Sequence, residues 1–314
     1  MLVFILRRSL QAVPVLLGVS LAVFLLVHMM PGSAVDVLLP AEATQELVDR
    51  IKSVYGFDRP IWERYFIWLA QIGRGDLGTS VFSGRQIAPN LLDALFNTLQ
   101  LAFLSAGLGF TLGIILGFVA GTAPSRIADK ALSAFAIVGV SVPHYWLGIV
   151  LVVVFSVLLN WLPAQGMGGP GFPTSWEQIQ HLILPVVTLS LIPMGIIARV
   201  VRATTLDVVA RDFVASLDAR GLRRRTVLAH VAKNAAPAVL ALMGLQFGYL
   251  VGGSILIETV FNWPGVGHLL NLAIFRRDIA VIQATILMLA FFFVFINLVV
   301  DVMQAVVDPR MRRG

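Results

Sequence analysis

Six runs free of Asp, Glu, Lys and Arg dominate this 314-residue sequence, at 9–30, 99–123, 131–176, 182–198, 234–257 and 279–300. A helix rises 1.5 Å per residue, so about 20 apolar residues cross a bilayer core. Backbone amides in hydrocarbon need internal partners, which leaves helices or closed barrels. The length of the runs and their lack of alternation exclude a barrel. The third run is too long for one crossing, and Pro163, Gly166, Gly168, Gly169, Pro170, Gly171 and Pro173 break it. Its helix is expected to end near Asn160. The fourth is short at its charged end, where Arg199 and Arg202 can snorkel to the interface. The fold class expected is an all-α polytopic membrane protein with six transmembrane helices.

Composition agrees. Apolar residues make up 58% of the chain, charged residues 13%, and the mean hydropathy is +0.88. A soluble chain carries about a quarter charged residues, so lipid must cover much of this surface. The absence of cysteine excludes disulfides and thiolate chemistry. A net charge of +6 reads as cationic loops that hold a membrane protein in orientation, not as nucleic-acid binding.

With the N-terminus inside, 15 of the 23 Lys and Arg fall on the inner side: Arg7, Arg8, Arg126, Lys130, Arg199, Arg202, Arg211, Arg220, Arg223, Arg224, Arg225, Lys233, Arg310, Arg312 and Arg313. Six of the remainder lie in 31–96, beside eight acids, and Arg276 and Arg277 complete the count. Short loops follow the positive-inside bias and a long loop translocates whatever its charge, so both termini are expected in the cytosol. The first run is longer than the 7–15 residues of a signal-peptide core and reads as a retained anchor.

The sequence thus divides into a first helix with its cytosolic N-terminus (1–30), an extracytoplasmic segment (31–96), a five-helix core (97–308) containing a cytosolic loop at 203–233, and a cytosolic tail (309–314). In the outer segment, Leu47, Ile51, Val54 and Tyr55 give 43–55 the spacing of an amphipathic helix. Pro60 sits where a second helix would start, ahead of Trp62, Tyr65, Phe66, Trp68 and Leu69. These aromatics suit either the headgroup level or a lid over a central opening. Gly73, Gly75, Gly78 and Gly84 mark turns. Within the inner loop, Leu206, Val209, Phe213 and Leu217 share one helical face, predicting a helix that continues inward from the fourth span. Gly221 then allows a sharp turn. Val227, Leu228 and Val231 resume helical spacing as a short helix before the fifth span. Such an apolar face must be buried, either on the lipid surface or in a groove of a cytosolic partner.

Several blocks resemble the permease subunits of ATP-binding cassette importers for dipeptides, oligopeptides and nickel. They are Ile5-Leu6-Arg7-Arg8 with Pro14-Val15-Leu16 and Pro31-Gly32, then Tyr55-Gly56-Phe57-Asp58-Arg59-Pro60 and Arg74-Gly75-Asp76-Leu77-Gly78-Thr79-Ser80. Further on are Ser141-Val142-Pro143-His144-Tyr145-Trp146-Leu147-Gly148 and His181-Leu182-Ile183-Leu184-Pro185. The last are Glu258-Thr259-Val260-Phe261-Asn262-Trp263-Pro264-Gly265-Val266-Gly267 and Asp308-Pro309-Arg310. The inner loop is similar to the family's coupling motif, a Glu-Ala-Ala stretch with Gly six residues after the Glu. Counting back from Gly221 sets Ala215-Ser216-Leu217 on the triplet. The Glu is absent, the later proline is shifted to Pro237, and the stretch from Gly221 to Asn234 is about one residue short.

The resemblance implies a transport subunit that forms half of a translocation path. The coupling loop, with Asp212, Phe213, Ala215, Ser216, Leu217, Ala219, Gly221 and Leu222, would dock on an ATPase subunit. Implied partners are a second homologous permease subunit, two cytosolic ATPase subunits, an extracytoplasmic solute-binding protein and membrane lipid, in a bacterial inner membrane. Short peptides are the favoured substrate, with a chelated nickel or related metal complex as alternative. Trp263, Pro264 and Gly265 are candidates for a gate at the outer mouth or for an interface anchor.

The residues themselves add restrictions. No G-x-x-x-x-G-K-[ST] loop is present, so ATP and Mg belong to the partner subunits and no cofactor is expected in this chain. The histidines at 28, 144, 181, 230 and 268 form no i,i+3 or i,i+4 pair, so no metal site is expected. Asp301 and Glu258 lie toward span ends, which weighs against a proton-driven carrier. No catalytic arrangement stands out. A stand-alone secondary carrier and an intramembrane enzyme remain as alternatives from other classes. The first would work without ATPase subunits, and the second needs clustered reactive residues within the spans.

Overall fold

The structure, a computed structural model, describes residues 2–29, 59–122 and 142–307. Among these residues the regular structure is helical, with one isolated β-bridge between Thr79 and Gln86. In chain order the helices are α1 (Leu2–His28), α2 (Ile61–Gly73), α3 (Ile87–Thr122), α4 (His144–Leu151), α5 (Trp176–Val209), α6 (Asp212–Ala219), α7 (Arg224–Val260), α8 (Val266–Phe275) and α9 (Ile279–Val307). A π-helical stretch, Val152–Leu158, continues α4.

Five of these helices, α1, α3, α5, α7 and α9, are long and apolar enough to cross a membrane. The third predicted span is represented by His144–Leu158, because its first part lies outside the described residues. It ends where expected, with Asn160 at a φ of 52°. The apolar side chains Val3, Leu10 and Leu26 of α1 are more than half exposed, as a lipid-facing surface requires. The chain is an all-α polytopic membrane protein. The predicted helix at 43–55 lies outside the described residues, as do Arg126, Lys130 and the C-terminal arginines.

The described residues fall into two compact units. One draws on 97–264 and 295–307. Its organising contact is a stripe of glycines on α3 laid against α5. A Cβ at Gly109 would lie 2.7 Å from the Ser190 carbonyl oxygen, at Gly113 2.9 Å from the Met194 carbonyl oxygen, and at Gly121 2.7 Å from the Thr205 Cβ. At Gly117 it would run into the Ala198 carbonyl oxygen. Small residues every fourth position allow two helix backbones to approach closely, which is how helices associate where lipid removes the hydrophobic driving force. Gly244 of α7 is filled in the same way by Val300 of α9. Helix α5 starts with a capping box, in which the Ser175 hydroxyl accepts from the Gln178 amide and the Gln178 side chain accepts from the Ser175 amide.

The second unit draws on the described residues of 2–96 and 265–294. Its core gathers Val23 and Val27 of α1, Ile87, Leu91 and Ala94 of α3, Val266 and Ala273 of α8, and Val281 and Ile282 of α9. Pro60 precedes α2 as expected. The α2 aromatics divide: Tyr65 lies edge-on to Phe24 at 5.4 Å and its hydroxyl meets Ser20 Oγ at 2.9 Å, whereas Trp62 and Phe66 stay exposed.

Three helix boundaries differ from the sequence reading. The fourth run belongs to a 34-residue helix, because polar residues beyond each end continue it. The fifth is one 37-residue helix from Arg224, not a short helix followed by a span. Finally, α8 was not anticipated. Its signal was present in Val266, Leu269, Leu270 and Ala273, but the run is only 10 residues long and sits between a Pro-Gly turn and an Arg pair.

Candidate functional site

The loop between α5 and α7 is built from a break, a short helix and a left-handed turn. Helix α5 does not continue through Phe213, as the apolar spacing predicted. It stops at Val209, and Arg211 adopts extended backbone, φ −79° and ψ 146°, before α6 begins. The physical reason is burial. A straight extension would carry Phe213 and Leu217 away from the bundle, whereas the break folds α6 back. Val214 is then buried with Val208 of α5 and Val227 and Val231 of α7, and Phe118, Phe213, Leu217 and Leu222 pack around them. Fully burying a side chain of this size contributes about 1.5–3 kcal/mol.

Gly221 takes φ +70° immediately after α6, and a Cβ there would meet nothing. Its requirement is therefore conformational, since an L-residue in the left-handed region costs about 1–2 kcal/mol. The Gly221 amide donates to the Asp218 carbonyl at 2.9 Å and the Leu222 amide to that of Leu217 at 3.3 Å, which closes the C-terminus of α6. Ser216 Oγ donates back to the Asp212 carbonyl at 3.0 Å.

The predicted loop residues therefore separate into two groups. Phe213, Leu217 and Leu222 are half-buried against the chain's own helices, while Asp212, Ala215, Ser216, Ala219 and Gly221 are exposed. The apolar face is already covered from within. The outward surface is made of small and polar side chains, flanked by the exposed Arg211, Arg220, Arg223, Arg224 and Arg225.

At the other end of α7, Trp263 is fully buried. Its indole N–H donates to the Asn97 carbonyl at 3.0 Å, and Asn97 Nδ2 donates to the Pro264 carbonyl at 2.9 Å. Asn262 holds a φ of 48° to make the turn, and Gly265 is the N-cap of α8. Glu258, also fully buried, accepts from Thr98 Oγ1 at 2.7 Å. Reading Glu258 as a span-end residue missed this pairing, because its partner lies 160 positions away.

Residues 109–313 match the family described as "Binding-protein-dependent transport system inner membrane component", and residues 1–102 match its N-terminal counterpart. Among curated proteins, the chain is 35% identical to the "Dipeptide transport system permease protein DppB" of Alkalihalophilus pseudofirmus, over 99% of this chain and 100% of that one. It is 38% identical to the "Glutathione transport system permease protein GsiC" of Escherichia coli, over 99% of both chains. Among solved structures, inward-facing MetNI methionine ABC transporter matches with a TM-score of 0.56 at 19% identity, over 69% of this chain and 96% of that chain; this likeness speaks to the fold. The chain belongs to the family of binding-protein-dependent transport system inner membrane components, the permease subunits of ABC transporters.

Proposed function

We propose that this chain is one of two permease subunits of an ATP-driven importer of di- or oligopeptides in a bacterial inner membrane, and that α6 and the Gly221 turn seat on a separate ATPase subunit. The supporting observation is the length of the helices that carry the loop. Helix α5 runs on for seven residues past Arg202, the last residue that can snorkel to the interface, which at 1.5 Å per residue is roughly 10 Å. Helix α7 begins ten residues, roughly 15 Å, before its charge-free run opens at Asn234. The headgroup layer on each side of a bilayer is only about 5–8 Å thick. The average tilt of about 20° would still leave the loop beyond the lipid phosphates. A helix held at that distance cannot rest its surface on lipid, and its apolar face is already turned onto α5 and α7, with Val214 buried and Phe213 and Leu217 half-buried. What remains is a small, polar surface presented to a protein.

In this reading ATP and Mg are held by the ATPase subunits. Closure of those subunits displaces α6, and because α6 packs on Val208, Val227 and Phe118, the displacement passes to α5, α7 and α3 together. ATP biases the inward and outward arrangements only through its different affinity for the two. The second permease subunit completes the path and a soluble binding protein brings the solute. Peptide substrates are supported by the dipeptide and glutathione names of the relatives. The test is purification from membranes followed by transport in vesicles. ATPase subunits should come down with this chain, and uptake should require ATP. Uptake by this chain alone without nucleotide would overturn the reading in favour of a secondary carrier.

A further inference from the structure

The second unit holds a cleft that none of the above uses. Its rim is the turn at 79–86, pinned by the Thr79–Gln86 bridge, and its other wall is the C-terminal half of α8. Asp278 fixes the two walls together. It accepts from Ser80 Oγ at 2.5 Å, from the Val81 and Phe82 amides at 3.3 Å each, and from the Val281 amide at 3.4 Å at the start of α9. Arg277 makes this possible with a φ of 54°, and the Asp278 amide closes α8 by donating to the Ala273 carbonyl at 2.9 Å. The carboxylate is therefore buried and committed inward. At the mouth stand Arg85 and Arg276, both exposed, and the Arg276 guanidinium lies over the Phe82 ring at 4.5 Å. Among the described residues neither arginine pairs with a carboxylate. Ile87, Ala273 and Val281 make an apolar floor.

Size and position restrict the occupant. The cavity volume is about 180 Å³. Small-molecule sites run to about 300–1,000 Å³, so this cleft takes a side chain and not a whole solute. It opens at the start of α3, seven residues and roughly 10 Å before that helix's charge-free run begins at Ala94. That places it outside a headgroup layer of about 5–8 Å, in the aqueous compartment.

We propose that this cleft is a docking socket for one acidic side chain, Asp or Glu, projecting from the soluble binding protein that serves this permease. The carboxylate would meet the Arg85 and Arg276 guanidiniums, and its methylene stem would rest on the apolar floor. Positive charge that has no carboxylate partner among the described residues, presented on the aqueous side above an apolar floor, has this complement. The inference rests on the proposed importer reading and adds to it where the binding protein is gripped.

The experiment uses the assembled transporter in nanodiscs and, as probe, the soluble binding protein that stimulates its ATPase activity. Arg85→Glu is the main variant, because among the described residues the Arg85 side chain makes no hydrogen bond or ion pair, whereas Arg276 lies over Phe82; Arg276→Glu and Arg85→Gln accompany it. At low salt, Arg85→Glu should raise the docking Kd by about tenfold or more, chiefly through slower association, and leave the basal ATPase rate unchanged. Arg85→Gln should flatten the salt dependence of docking. Exchanging the matching acid of the binding protein for Arg should restore docking to Arg85→Glu. Wild-type Kd values in both charge-reversed variants would overturn the proposal, as would an effect seen only in discs containing anionic phospholipid. If no binding protein stimulates the wild-type transporter, the importer reading itself fails and the socket fails with it.

Discussion

The glycine stripe of α3 gives a prediction whose size can be worked out before measurement. Gly107 and Gly117 sit on the same helix, ten residues apart. A Cβ at Gly107 would meet nothing within 4 Å; at Gly117 it would strike the Ala198 carbonyl oxygen and lie 2.8 Å from the Val201 Cβ. Replacing either by Ala removes the helix penalty of glycine, about 0.5–1 kcal/mol. At Gly117 the new methyl also forces α3 and α5 apart, an overpacking strain of about 1–3 kcal/mol. Subtracting one variant from the other cancels the propensity contribution, so Gly107→Ala should be the more stable by about 1–3 kcal/mol, roughly 5-fold to 150-fold in the folding equilibrium. Equilibrium unfolding in mixed micelles would measure this. Transport should follow, since α5 carries the loop on which α6 packs: Gly117→Ala should hydrolyse more ATP per solute moved. Equal stability for the two variants would show that the close approach of α3 to α5 is wrong.

Other outcomes follow from single contacts. Gly221→Pro places a residue locked near φ −65° where the chain needs +70° and removes the amide bonded to Asp218, so membrane insertion should survive while ATPase retention or transport is lost. Membrane fractionation and co-purification check both halves of that statement. Thr98→Val removes the hydroxyl donor to buried Glu258 and should destabilise by about 1.5–3 kcal/mol, read by thermal unfolding in detergent. Asp278→Ala frees the turn at 79–86 from α9. Protease cleavage within 79–86 should accelerate, with uncut protein retaining its helix content.

The long helices were legible because charge-free runs report directly on what lipid permits, and the two Arg-rich flanks of the inner loop marked its ends. Gly221 was legible as a turn for the same reason that glycine suits it: apart from Asn, few residues take that φ cheaply. The break at Ala210–Arg211 was not legible. Leu206, Val209, Phe213 and Leu217 keep helical spacing across it, and only the burial of Val214 against Val227 and Val231 makes folding back preferable to running on. Local periodicity cannot report a contact made with a helix that begins ten residues later. The same limit hid the Glu258–Thr98 and Asp278–Ser80 pairs, whose partners are 160 and 198 positions apart, and the bond from the Trp263 indole to the Asn97 carbonyl.

The most direct test of the account concerns the surroundings of α6. The chain has no cysteine, so Ser216→Cys, on the exposed face of that helix, gives a single attachment point for a nitroxide label. In nanodiscs the label should be mobile and reachable by water-soluble relaxants while the ATPase subunits are absent, then immobilised and shielded when they are added. A label that instead contacts lipid-soluble relaxants, and does not change when ATPase subunits bind, would contradict the account.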